Sequence, residues 1–140
     1  MVVPILADLV SKLNGAKNLR LKSVEVVVSK TSFKVVFLLQ QIGVIKRFVI
    51  LNSFERGHDV KLRVYLNYRG DGLTMFKSIK LVSKPGRPVH FSLKSLLKAK
   101  EGAFDSHIFI MSIKGRGVVL DQECLEHSLG GIPLISVEFF

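Results

Sequence analysis

Between residues 30 and 67 the spacing of apolar side chains switches from a helical period to a period of two. That switch sets the fold class. "SKTSFKVVFLLQQIG" reads as a helix from about Lys30 to Ile42, with Ser29 as its N-cap and Gly43 as its stop signal. "VIKRFVIL" follows as a strand and "NSFERGHD" as a turn. "VKLRVYLN" then alternates cleanly, with Val60, Leu62, Val64 and Leu66 on one face and Lys61, Arg63, Tyr65 and Asn67 on the other.

The flanking segments complete an α+β layout. Leu6, Leu9, Val10 and Leu13 share one helix face, and Asn14-Gly15 offers a stop. "VEVVV" (Val24 to Val28) is β-branched and reads as a strand. "RGDG" is a hairpin signal, after which "LTMFKSIKLV" continues an antiparallel meander. This first part reads as helices packed on one face of a three-stranded antiparallel sheet.

"SKPGRP" (Ser83 to Pro88) cannot continue a central strand, so it marks a boundary between subdomains 1–82 and 83–140. The second subdomain reads as mostly β with short helices. It begins with a short strand near Val89 and the helix "SLKSLLKAK", with Ser92 as N-cap. The strand "HIFIMSI", the tight loop "KGRG" and the short helix "DQECLEHS" follow, with Asp121 placed to suit the helix dipole. Gly130-Gly131 ends that helix and "IPLISVEFF" closes the chain as a strand.

Charge narrows the function. The chain carries +10 with a pI of about 10.0, which points to a polyanion, nucleic acid ahead of an anionic membrane surface. The distribution is uneven. The first 100 residues hold 19 basic and five acidic residues; the last 40 hold six acidic residues and only Lys114 and Arg116 as basic ones. Lys114 and Arg116 therefore form an isolated basic tip on an acidic segment. Nearly half the residues are apolar, enough for a packed core. A single cysteine, Cys124, excludes an internal disulfide. No apolar run approaches the roughly 20 residues that span a bilayer. "MVVPILADLV" lacks a basic region ahead of its apolar stretch and is a poor signal peptide.

Catalytic and metal constellations are weak. Cys124 and His127 are three apart on a helix, the spacing of a nucleophile with its base or of two ligands. A nucleophile also needs an orienting group and an oxyanion site, and a structural metal wants four ligands. His58, His90 and His107 show no ligand spacing. "GRGVVL" has Leu120 where a dinucleotide fingerprint needs its third glycine, and "KGRG" lacks phosphate-loop spacing. The acidic residues read as solvated positions and helix starts.

Three basic clusters are more informative. "SKTSFK" puts Lys30 and Lys34 on one helical face, with Ser29 and Ser32 near a helix start whose N–H groups suit phosphate oxygens. "SKPGRP" holds Ser83, Lys84, Gly86 and Arg87 in a stiff loop. "SIKGRG" offers Ser112, Lys114, Gly115, Arg116 and Gly117, with glycines that admit a close partner. Together they favour RNA or DNA binding.

The order of these segments resembles the bacterial-type small-subunit ribosomal protein eight family over almost the whole chain. "SKPGRPV" is similar to that family's "SKPGRRV", "ILADLVSKLN" to its opening helix, and "IGVIKRF" to its second strand. "GRGVVLDQE" and "HSLGGIPLISVEFF" resemble its closing segments. The resemblance implies a non-enzymatic binder of the central domain of small-subunit rRNA that supports subunit assembly and translation. Neighbouring small-subunit proteins would be its other partners, with no cofactor, metal, membrane or small-molecule substrate. The family's RNA loop corresponds to Ile113 to Gly117. Arg116 and Gly117 carry over, while two family hydroxyl positions hold Ile113 and Gly115 beside Ser112. The drifted motifs and high apolar content imply an organellar ribosome, mitochondrial ahead of plastid or bacterial cytoplasm. Two alternatives are a regulatory protein acting on mRNA and an RNA-dependent enzyme using Cys124 and His127.

Overall fold

The computed structural model describes residues 3–53, 60–83, 89–102 and 106–140, with residues 3, 4 and 53 described by their backbone alone. The chain forms helices and antiparallel sheets in an α+β fold, divided into two compact units, Met1–Phe76 and Lys77–Phe140.

The first unit contains α1 (Val3–Asn18), β1 (Ser23–Val28), α2 (Lys30–Gln41), β2 (Ile45–Ser53) and β3 (Val60–Leu66). β3 lies at the centre of a three-stranded sheet, antiparallel to β1 on one side and β2 on the other. Its alternation sets which face is buried: Leu62, Val64 and Leu66 are inside, as are Val26 and Val28 of β1. α1 packs on β1 and α2 on β2. They bring in Leu6, Leu9, Leu13, Val35, Val36 and Leu39, all fully buried. Each such side chain contributes about 1.5–3 kcal/mol of burial. Phe33 of α2 meets Phe48 of β2 edge to face at 5.5 Å.

Two details differ from the sequence pattern. α1 does not stop at Asn14-Gly15 but runs on to Asn18, because Ala16 is buried and extends the apolar stripe. That burial outweighs the roughly 1 kcal/mol that Gly15 costs in a helix interior. "LTMFKSIKLV" does not extend the meander either. Tyr68 and Thr74 make a single antiparallel bridge across the "RGDG" turn. The next strand, β4 (Phe76–Leu81), then joins the other sheet. The reason is geometric: β3 has two edges, and β1 and β2 occupy both.

The helices of this unit close in the same way. The Leu21 N–H donates to the Ala16 carbonyl at 2.9 Å and the Arg20 N–H to that of Lys17 at 3.2 Å. Val44 to Leu39 (2.9 Å) and Gly43 to Gln40 (3.1 Å) repeat this arrangement at the end of α2. Each places one residue in the left-handed region, Gly43 at φ 94° and Arg20 at φ 56°. Arg20 bears the steric cost of its Cβ there. Arg20→Gly is therefore expected to raise stability by about 0.5 kcal/mol, net of the entropy glycine adds to the unfolded chain. Urea unfolding checks this, and a loss of stability would show that the Arg20 side chain stabilises more than its backbone strain costs.

The second unit holds a four-stranded sheet in the order β4-β7-β5-β6, with β5 (His107–Ile113), β6 (Gly117–Leu120) and β7 (Ile132–Phe139). α3 (Leu93–Ala99) begins at its N-cap Ser92, whose hydroxyl accepts the Ser95 N–H at 3.2 Å. Leu96, Phe109, Met111, Ile113 and Cys124 form its buried cluster. Instead of a strand near Val89, the structure has one bridge between Phe91 and Gly131. α4 (Asp121–Glu126) starts at Asp121 as the dipole argument requires, yet that carboxylate is not solvated. It is 2% exposed, accepts the Lys100 ammonium at 2.6 Å and the Phe109 N–H at 2.9 Å.

Candidate nucleic-acid interface

The isolated basic tip is the turn between β5 and β6. Ile113 pairs with Gly117, leaving Lys114, Gly115 and Arg116 as a three-residue connection closed by the Arg116 N–H on the Ile113 carbonyl at 3.0 Å. Gly115 (φ 86°) and Gly117 (φ 80°) take left-handed conformations that let the chain reverse here. Both glycines face open space, so within the chain they serve the turn's shape. Lys114 and Arg116 are exposed, and neither has an ion-pair partner among the described residues. Other cations of the chain, such as Lys61, Arg63 and Lys100, are held by carboxylates.

Beside this tip lies an open hollow of about 590 Å³, lined by His90, Ser112, Ile113, Lys114, Gly130, Gly131 and Ile132. Its size falls within the roughly 300–1,000 Å³ of ligand pockets. Gly130 and Gly131 make it possible. Residues 91 and 131 exchange two backbone hydrogen bonds of 2.8 Å. A Cβ on Gly130 would lie 2.7 Å from the Phe91 carbonyl oxygen, and one on Gly131 2.9 Å from that of Ser112. The hollow thus combines a hydroxyl, an ammonium, an imidazole and glycine backbone with the apolar walls of Ile113 and Ile132. Small polar groups around a concave surface suit an unstacked nucleotide. Of the hollow's lining, sequence reasoning named Ser112 and Lys114 as contacts. His90 and the paired glycines were missed as lining; the glycines' position before the closing strand was the available signal.

The remaining clusters fare differently. Ser29 caps α2 as expected, in a reciprocal box with Ser32: the Ser29 N–H donates to Ser32 Oγ at 2.7 Å and the Ser32 N–H to Ser29 Oγ at 3.4 Å. Ser32 is fully buried, so the two hydroxyls are engaged with the helix start. Lys30 and Lys34 stay exposed on one helical face. Ser83 is buried, its hydroxyl donating to the Val89 carbonyl at 3.4 Å. Lys84, Gly86 and Arg87 lie outside the described residues.

Cys124 and His127 do not form a reactive pair in their own right. The Cys124 thiol is fully buried in the apolar cluster, and burial, with Asp121 and Glu123 nearby, pushes its pKa up. His127 is exposed at the end of α4, where its N–H donates to the Glu123 carbonyl at 3.1 Å. A neutral, shielded thiol is a poor nucleophile. Cys124 is therefore expected to resist maleimide labelling in the native protein and to label fully in denaturant. Rapid native labelling at neutral pH would contradict this.

A family model described as Ribosomal protein S8 matches residues 4–137. A Small ribosomal subunit protein uS8 from Syntrophus aciditrophicus (strain SB) is 35% identical over 137 residues, covering 98% of each chain. One from Rhizobium etli (strain CIAT 652) is 32% identical over 132 residues, covering 94% of this chain and 95% of its own. A Small ribosomal subunit protein uS8c from Euglena longa is 28% identical over 142 residues, 96% of this chain and 97% of its own.

Proposed function

The chain belongs to the ribosomal protein S8 family, and from that premise we propose that it binds the central domain of small-subunit rRNA and supports subunit assembly and translation. Its role is structural, within the small ribosomal subunit, and not enzymatic. The observation that carries the RNA reading is the exposed tip of Lys114 and Arg116 joined to the Ser112 and Gly130-Gly131 hollow. Lys114 and Arg116 meet phosphates and release counterions, while Ser112, Gly115 and Gly117 fit an irregular RNA helix by shape. Lys30 and Lys34, with Ser29 and Ser32 holding the helix start, form a second contact. Lys84, Gly86 and Arg87 form a third, beside Ser83, whose buried hydroxyl is engaged by the Val89 carbonyl rather than offered to RNA.

Titration of the purified chain against a central-domain rRNA fragment and an unrelated RNA of equal length tests this. At least tenfold preference for the central-domain fragment, weakening with salt, is the expected result. Equal affinity for both would overturn the reading. The drifted motifs support an organellar ribosome, to which the uS8c relative from Euglena longa adds weight; the compartment proposed is the mitochondrion, a choice that this relative does not favour over a plastid. Recovery of the chain only in plastid or bacterial cytosolic ribosomes would refute that choice.

A further inference from the structure

β2 is an edge strand among the described residues, where it pairs with β3 alone. Natural edges are commonly blunted by charge, bulges or cover. After the buried Ile45, β2 carries the exposed Lys46 and Arg47, and its register shifts between Ile45 and Arg47 and again between Ile50 and Asn52. The second shift falls at Leu51, but no charge blunts the strand beyond Arg47. Val49, Ile50 and Leu51 are consecutive and 41%, 55% and 42% exposed.

Successive residues of a strand point to opposite faces. A partner lying on one face would cover Val49 and leave Ile50 in water. A partner strand added to the edge places side chains on both faces and covers both residues together. The cations narrow the partner further. β2 contains no acidic residue. Arg47 lies with its guanidinium 3.9 Å from the centre of the Tyr65 ring, held in place on the open face. Lys61 and Arg63 on that face already share Glu25, at 3.2 and 2.7 Å, so among the described residues the cations of this edge without a carboxylate partner are Lys46 and Arg47.

We propose that the free edge of β2 receives an extended segment of a second protein, with aliphatic side chains at alternate positions and carboxylates that meet Lys46 and Arg47. RNA fits less well, because three adjacent aliphatic side chains offer a phosphate backbone nothing. A second copy of this chain pairing through its own β2 would bring an equally cationic strand without a carboxylate, and the Glu25 carboxylate of its other edge, β1, is already engaged by Lys61 and Arg63. The inference rests on the ribosomal reading in one respect: the partner is a neighbour within the small subunit.

A photo-crosslinking amino acid placed at Val49 of the full chain, in its own cells, tests this. Lysates are fractionated by sedimentation and the crosslinked peptides sequenced by mass spectrometry. The expected result is one protein segment bearing carboxylates and alternating aliphatic residues. Its yield should fall at least tenfold with Ile50→Lys and Leu51→Lys together, and also with Arg47→Glu alone. Crosslinks to RNA, to another copy of this chain, or to nothing would overturn the proposal. Sedimentation reads the ribosomal assignment separately. The expected segment captured away from the small subunit would keep the edge and sink that assignment; an RNA crosslink inside the subunit would do the reverse.

Discussion

Asp121→Ala is expected to lower the stability of the second unit by about 3–5 kcal/mol, the cost of breaking a buried ion pair from one side. The carboxylate is 2% exposed and Lys100 4%. One oxygen, Oδ2, receives both the ammonium at 2.6 Å and the Phe109 N–H at 2.9 Å. Removing it leaves a buried positive charge without that counter-ion and strips the Phe109 N–H of its acceptor. Set against a typical 5–15 kcal/mol for a whole protein, the loss is large. Lys100→Met is expected to cost less, because the carboxylate keeps the Phe109 N–H. The double variant with Asp121→Ala and Lys100→Met should then cost well under the sum of the single changes, with a coupling of about 1–3 kcal/mol. Equilibrium urea unfolding of the four proteins measures the cycle. Additive effects would mean that the pair is not coupled as its geometry requires.

Changing Lys114 and Arg116 together to alanine is expected to weaken central-domain RNA binding about 100-fold at moderate salt. Each side chain removed takes away a charge-assisted hydrogen bond of roughly 1.5 kcal/mol, and about 1.4 kcal/mol is tenfold in affinity. The steepness of the dependence of affinity on salt should fall by about 2, near 1 for each phosphate no longer neutralised. The fold should not change, since both side chains are exposed and the turn's conformation belongs to Gly115 and Gly117. Two readouts separate the roles of charge and shape. A loss of affinity with the salt slope unchanged would show that the tip contributes shape alone.

What the residues announced and what they concealed follow from the range of the interactions. The alternation of β3 and the capping serine of α2 are local patterns, and both stand in the structure as expected. Gly43 signalled the end of α2 because only its lack of a Cβ is visible in a sequence. Arg20 and Ser128 take the same left-handed role without that signature, at φ 56° and 54°, so the end of α1 was placed too early. The partner of β4 depended on which strands had already filled the edges of β3, a tertiary fact with no local trace. Asp121 looked like an ordinary helix start until Lys100, 21 residues away, arrived beside it. The hollow was hidden for the same reason. His90 and Gly130-Gly131 come from segments about 40 residues apart in the chain; the backbone bridge at Phe91 and Gly131 joins them to each other, and the pairing of Ile132 with Ser112 joins them to the tip.

The most direct test of the central claim is to crosslink the chain to RNA in its native extract, sequence the attached RNA, and repeat with Lys114→Ala and Arg116→Ala. Crosslinks concentrated in the central domain of small-subunit rRNA, and strongly reduced by the double change, are the expected result. An absence of rRNA enrichment from an extract with intact small subunits would contradict it.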